Sequence, residues 1–284
     1  MAAYGRRFLV ESPDGEIVAC VARGRQAAYA CGDRVHGALT GRNEGVIEAC
    51  DPRSTLFFRA AAHRRKVIAA NATQVAVIVA GEPSTSDELV ARILAAAHRQ
   101  SMRGLIVLNK ADLAGPTGAM RERLAPFARA GDPIVEVSAR HDVGPLRAPL
   151  AGQTTVLIGQ SGMGKSTIVN ALAPDAGAAT REISRFLDSG RHTTSATRLY
   201  PLDADTAIVD SPGVEAFGLA HLSPAEIALG FPELGALAGR CRFADCRHRV
   251  EPGCAVLAAA ASGAVSPRRL ELLHRILDAE SAAR

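Results

Sequence analysis

The sequence predicts an α/β protein in three units: a small N-terminal β-barrel of the OB-like kind, a central parallel sheet with helices on both faces, and a short helical C-terminal unit. Three observations carry that expectation. Residues 8–69 hold short apolar runs separated by turn signals. From about residue 71, strand and helix patterns alternate. After Phe217 the pattern is helical with short loops. The expected units are 1–70, 71–220 and 221–284, and 284 residues accommodate two or three domains at roughly 100–200 each.

In the first unit the expected strands are 8–10, 16–22, 34–40, 45–50 and 66–70. Pro13-Asp14-Gly15, Gly32-Asp33 and the 41–45 segment supply turns between them. In the second unit VAVIVA (75–80), LIVLN (105–109), PIVEVS (133–138), TTVLIG (154–159) and TAIVD (206–210) have the near-continuous apolar character of buried parallel strands. Ser86-Asp87-Glu88 opens a helix through Gln100, with Leu89, Ile93, Leu94 and Ala97 on one side, and a second helix is expected near 121–130. The third unit ends in an amphipathic helix over 267–283, with Leu270, Leu273, Ile276 and Leu277 on one face.

Composition narrows the function classes. Nearly half the residues are apolar and 22% are charged, which suits a packed core. The longest uncharged apolar-rich stretches, 75–81 and 255–265, fall short of the roughly 18–20 residues that span a bilayer. The first residues lack a long apolar core, so neither a secretory signal nor a membrane anchor is expected, and the location expected is cytoplasmic. The net charge is +4. Residues 1–70 hold 11 bases and 7 acids, so the whole excess lies there. A phosphate-binding N-terminal unit is consistent with this, as is an ordinary solvated face. Lysine occurs only at 66, 110 and 165, and two of these fall in the motifs below.

Gly159, Gln160, Ser161, Gly162, Met163, Gly164, Lys165, Ser166 and Thr167 spell G-x-x-x-x-G-K-[ST] between a strand and a helical pattern. Glycines let successive backbone N–H groups turn toward phosphate oxygens, and the helix start adds its positive end. Lys165 would bridge the β- and γ-phosphates, and the Ser166 hydroxyl would ligate Mg²⁺. Asn109, Lys110, Ala111 and Asp112 follow LIVLN, at the strand end where parallel sheets bind ligands. A carboxylate at Asp112 can accept from guanine N1–H and from its exocyclic amine. Adenine offers neither donor and would leave the carboxylate unpaired, so the expected nucleotides are GTP and GDP. The Lys110 stem can cover the base, Asn109 can tie neighbouring loops, and Ser138-Ala139 fits the loop supporting the base.

Asp210, Ser211, Pro212 and Gly213 end TAIVD. Asp210 can hold Mg²⁺ through water, and the Gly213 N–H can meet the γ-phosphate and sense it. Thr193 or Thr194, in the polar segment 190–194, is expected to ligate Mg²⁺ and γ-phosphate. The order is permuted, because the base-side motifs precede the phosphate loop. The 210–213 loop therefore leads directly into the third unit, so nucleotide state could move it.

Cys241, Cys246, His248 and Cys254 place three thiols and one imidazole within 14 residues. The set suits one closed tetrahedral structural Zn²⁺ site, which would stabilise a small unit. Buried free thiols or a disulfide are the alternatives.

These residues resemble the circularly permuted ribosome small-subunit-dependent GTPase A family (RsgA, also called YjeQ). The resemblance rests on the permuted order, GQSGMGKST, GRHTT, DSPG followed by Phe217-Gly218-Leu219, and the Cys-Cys-His-Cys spacing. It implies an OB-like RNA-binding unit, a Mg-dependent GTPase unit and a zinc unit. It also implies a factor that binds the small ribosomal subunit and 16S rRNA, acts late in subunit maturation, and hydrolyses GTP faster on the subunit. A monomer is expected. Val214 stands where Ras-like enzymes carry a water-orienting glutamine, a replacement the family shares. Slow intrinsic hydrolysis is therefore expected, with His192 either a helper or a structural or rRNA-contacting residue. The alternatives are a permuted GTPase acting on another RNA or on the large subunit, and an RNA-binding module with a vestigial phosphate loop.

Overall fold

The computed structural model describes residues 2–4, 7–23, 29–61, 64–174, 197–237 and 239–282. The N-terminal strands are β1 (Ala2–Tyr4), β2 (Arg7–Glu11), β3 (Ile17–Ala22), β4 (Val35–Gly41), β5 (Glu44–Cys50), β6 (Leu56–Ala61) and β7 (Arg64–Ala70). β1, β2, β3, β5 and β4 pair in that order, and β6 and β7 form a separate hairpin. Among the described residues no pairing returns from β4 to β1, so strand hydrogen bonds do not trace the closed ring expected of a barrel. Instead β1 pairs antiparallel with β12 (Thr197–Pro201) and joins these strands to the central sheet. β1, β6 and β12 are not among the expected strands.

The central sheet runs β10 (Ile134–Glu136), β9 (Arg103–Asn109), β8 (Gln74–Ala80), β11 (Thr154–Ile158), β13 (Ala207–Asp210), then β12. The first five are parallel, as their apolar runs predict, and β12 is antiparallel. Every residue of β8 is buried. Val75, Val77 and Val79 enter one core cluster and Ala76, Ile78 and Ala80 the other, because successive strand residues point to opposite faces.

Helix α1 (Asp87–Arg99) starts at Ser86, whose side chain accepts from the Leu89 N–H at 3.4 Å, with Asp87 and Glu88 at its positive end. It shares the first cluster with α2 (Ala114–Arg129) and with the C-terminal helices. Helix α2 begins before the expected 121. Its first turn, Ala-Gly-Pro, reads as a loop, yet Pro116 fits an N-terminal turn and Thr117, Met120 and Leu124 are buried. The short α3 (Arg147–Leu150) and α4 (Lys165–Leu172) lie on the second face.

The remaining helices are α5 (Pro224–Leu229), α6 (Pro232–Gly235), α7 (Ala255–Ala261) and α8 (Pro267–Ala282). Leu270, Leu272, Leu273 and Ile276 of α8 pack into the cluster that holds α1. Arg269 is buried between the rings of Phe127 (4.6 Å) and Phe231 (4.5 Å) and pairs with Glu233, so one guanidinium ties α8 to α2 and α6. Among the described residues no helix is long and apolar enough to cross a membrane.

His98, in the last turn of α1, stands between two acceptors. Its Nδ1 lies 3.1 Å from Gly230 O and its Nε2 lies 2.9 Å from Asp132 Oδ1. Only the imidazolium donates to both. Burial alone would lower its pKa, but the Asp132 hydrogen bond and charge and the Gly230 carbonyl outweigh it and the net direction is up. A raised folded-state pKa stabilises the fold below the ordinary value of about 6.5, and that contribution is lost as pH rises through the folded value. Denaturant midpoints should therefore fall on going upward from pH 6.5, and His98→Gln should flatten that slope. An unchanged slope in the variant would count against the pairing.

Candidate functional site

Lateral register gathers the expected motifs at one edge. Ala80 pairs with Asn109, Val77 with Ile158, and Asp210 with Leu157, so β8, β9, β11 and β13 end together. A cavity of about 800 Å³ opens there. One part is lined by Asn109, Lys110 and Asp112, with Ser138 and Ala139. The loop after β11 adds Ser161, Gly162, Gly164, Lys165, Ser166 and Thr167, and the loop after β13 adds Asp210, Ser211, Pro212 and Gly213. Gly159, Gln160 and Met163 shape the loop without lining the cavity. Thr193, Thr194 and His192 lie outside the described residues. Leu113 and Arg140 also line the cavity, and neither is among the expected site residues. The only signal was adjacency, since each follows a motif directly.

Gly162 and Gly164 have φ of +80° and +91°, the left-handed region that suits glycine. A Cβ on Gly164 would lie 2.3 Å from Asn109 Nδ2, and one on Gly159 would lie 2.3 Å from Ile78 O. The curled loop opens α4 with Lys165, whose Nζ donates to Gly159 O (2.7 Å) and Gln160 O (2.8 Å). Burial pushes this ammonium below its ordinary pKa, and the Asp210 charge works against that shift. Burial likewise raises Asp210, opposed by Lys165. An ammonium, a helix start and left-handed glycines fit a polyphosphate. Ser166 and Asp210, both at the cavity, fit a hydrated divalent cation.

Asn109, only 2% exposed, connects two loops. Its Nδ2 donates to Met163 O at 2.8 Å, and its Oδ1 accepts from the Ala139 N–H at 3.0 Å. Lys110 adopts φ +63° and its Nζ donates to Glu82 O at 2.9 Å. Ser138 Oγ donates to Asp112 Oδ1 at 2.5 Å. That bond, ahead of the backbone contribution, holds the exposed Asp112 carboxyl below its ordinary pKa. An ionised acceptor therefore lines the same cavity as Lys165.

The 210–213 loop is anchored from below. Ser211 Oγ donates to Leu157 O at 2.7 Å, and the Val214 N–H donates to Gly159 O at 3.1 Å. A Cβ on Gly213 would come within 3.3 Å of Ser161 N and 3.5 Å of Lys165 Nζ, so this loop lies against the 159–167 loop. The Val214 side chain is buried in the core.

Away from the cavity, the ligating atoms of Cys241, Cys246, His248 and Cys254 lie within 4.8 Å of one another. Cys241 Sγ is 3.6 Å from His248 Nδ1 and 3.9 Å from Cys254 Sγ, and His248 Nδ1 is 3.4 Å from Cys254 Sγ. A tetrahedral ion with bonds of about 2.0–2.3 Å sets ligand atoms roughly 3.5–3.8 Å apart, so this donor set fits such an ion. His274 of α8 donates from Nε2 to His248 O at 2.9 Å and so braces the cluster.

The fold and cavity define a nucleotide-binding α/β protein with permuted element order. The chain belongs to the RsgA GTPase family, whose sequence profile matches residues 50–220. It is 49% identical over 277 residues to the small ribosomal subunit biogenesis GTPase RsgA of Nitrosospira multiformis, covering 98% of this chain and 88% of that protein. Identity to the protein of the same name from Bordetella pertussis is 49% over 288 residues, covering 100% and 96%. YjeQ from Thermotoga maritima superposes with a TM-score of 0.76 at 27% identity, covering 99% and 96%. YloQ, a circularly permuted GTPase, shares the fold with a TM-score of 0.72 at 22% identity, covering 99% and 93%.

The tight packing of Gly164 generates a test. Gly164→Ala places a methyl against Asn109 in a left-handed conformation, and should cost about 1–3 kcal/mol in denaturant unfolding. A variant as stable as the parent would contradict the Asn109 contact.

Proposed function

We propose that the chain is a GTPase that binds the small ribosomal subunit and acts late in its maturation, hydrolysing GTP to GDP and phosphate faster when the subunit is bound. The observation that carries the reading is the pairing, in one cavity, of the Lys165 ammonium with the ionised Asp112 carboxylate that Ser138 holds. The first meets a phosphate tail and the second meets the N1–H and amine of guanine. The names of the relatives support the ribosomal assignment.

In this reading Asn109 keeps the base side and the phosphate loop in one rigid frame. The N–H groups of residues 161–167, with Lys165, neutralise the phosphates. Ser166 and Asp210 would hold Mg²⁺, which when bound would supply charge compensation for the phosphates. Gly213 meets the γ-phosphate. Val214 is buried and has no hydrogen-bonding side chain, so it orients no water. Slow turnover by the free protein follows, and the bound subunit completes the site. Thr193 or Thr194 supplies the remaining Mg²⁺ ligand. The three units are 1–70, 71–220 and 221–284, the first contacting 16S rRNA. The protein works as a cytoplasmic monomer, with one structural Zn²⁺ held by Cys241, Cys246, His248 and Cys254.

GTP turnover with and without purified small subunits is the deciding measurement. Turnover should rise at least about tenfold on the subunit, and Lys165→Ala should weaken GTP binding at least about tenfold, the worth of one charge-assisted bond. Equal turnover with and without subunits, or full binding by the variant, would defeat the assignment. Protein purified without added metal should carry about one zinc per chain, and a chelator should lower its melting temperature. Absence of zinc would remove the cluster from the reading.

A further inference from the structure

The segment 214–219, just past the nucleotide loop, is held from several sides. Val214 N–H is bonded to the phosphate loop at Gly159 O. Arg59 Nη1 donates to Ala216 O at 3.1 Å. The Phe217 ring stacks on Phe57, with centroids 5.6 Å apart and an interplanar angle of 27°. The Ala60 N–H donates to Gly218 O at 3.1 Å, and Ala60 bridges Leu219 in parallel. The Leu219 N–H donates to Glu280 Oε1 at 3.0 Å, an oxygen that also takes Arg92 Nη1. Phe57, Arg59 and Ala60 belong to β6, and Glu280 to the end of α8.

Four of these ties end on main-chain groups, so they fix the path of the backbone. Glu280 is 6% exposed, and an ionised carboxylate at that depth requires partners. Its partners among the described residues, Arg92 of α1 and the Leu219 amide, come from distant parts of the chain. The β6–β7 hairpin that reaches this segment also presents Arg65 and Lys66 to solvent. A phosphate backbone is the ligand chemistry that fits them.

We propose that Arg59 and Glu280 are positioning residues for the nucleotide loop: through Ala216 and Leu219 they set where 210–213 lies. The hairpin and the last helix thereby respond to the nucleotide and bias it in return. This rests on the reading of the cavity as a guanine-nucleotide site, and it specifies how that site is regulated. Linkage makes the coupling reciprocal: a nucleotide that prefers one loop position changes the hairpin's affinity for a polyanion by the same factor.

The test uses the full chain loaded with GDP or with a non-hydrolysable GTP analogue. Amide hydrogen exchange at Ala60 should differ at least about threefold between the two nucleotides. Glu280→Ala should erase that difference at Ala60, to which it is linked through Leu219. It should also lower kcat about tenfold with nucleotide affinity within about threefold of the parent. Arg59→Ala should behave alike. Glu280→Gln keeps an acceptor for the Leu219 N–H and should recover most of kcat, which a purely structural role of the charge would not allow. Exchange at Ala60 that ignores the nucleotide, or parental kcat in both alanine variants, overturns the proposal. A parent chain that binds no guanine nucleotide rejects the functional reading and the relay together. Normal binding with nucleotide-blind exchange rejects the relay alone.

Discussion

The register between parallel strands determines everything else at the cavity. β8 pairs with β9 on one side and β11 on the other, and β11 pairs with β13. Three loops from distant parts of the chain then leave the sheet at one edge. A slip of one residue in any pairing would turn the strand's buried side chains to its other face. In β8 both faces are filled, by Val75, Val77 and Val79 on one and by Ala76, Ile78 and Ala80 on the other. The core holds the register, and the register holds the loops. This is also why permutation is tolerated. Strand neighbours are set by packing, and the order in which the chain visits them affects connections only.

Those connections differ in consequence. With the phosphate loop in the middle of the chain, the loop after β13 continues into residues that both flanking elements grip. Arg92 and Glu280 form a largely buried pair with Glu88 beside it. Removing one member of such a pair leaves the other charged and desolvated, a larger effect than the net worth of the pair. The arrangement is therefore stiff against partial loosening and suited to moving as a block. Stiff blocks transmit small displacements that a loose segment would absorb.

Legibility in the sequence followed the range of the interactions. The strands β8, β9 and β11 are continuous apolar runs and were readable from period and length alone. So were the curl of residues 159–167 and the strand end at Asn109, because backbone conformation of that kind is local chemistry. β12 was not readable: Thr-Arg-Leu-Tyr-Pro carries a charge and a proline, and it forms only because β13 and β1 lie on either side. β6 carried a signal in Leu56-Phe57-Phe58 that Arg59 obscured. The start of α2 reads as a loop, and tertiary burial of Thr117 and Met120 overrides it. The contact of Glu280 with Leu219 spans 61 residues and leaves no local pattern.

The frame at the cavity is also assembled before any ligand arrives. Lys110 holds a left-handed conformation that costs a non-glycine residue on the order of 1 kcal/mol or more. It persists because Thr117 Oγ1 donates to Lys110 O at 3.1 Å and the Ala111 N–H donates to Val137 O at 3.0 Å. Lys165 has two of its three donors satisfied by Gly159 and Gln160, so its partly buried charge is not stranded in the free protein. Asp112 is already ionised and oriented by Ser138. A ligand reaching this edge therefore has little of the protein left to order, and more of the interaction energy appears as affinity. Water orientation is a separate matter, because the buried Val214 side chain carries no polar group with which to hold one.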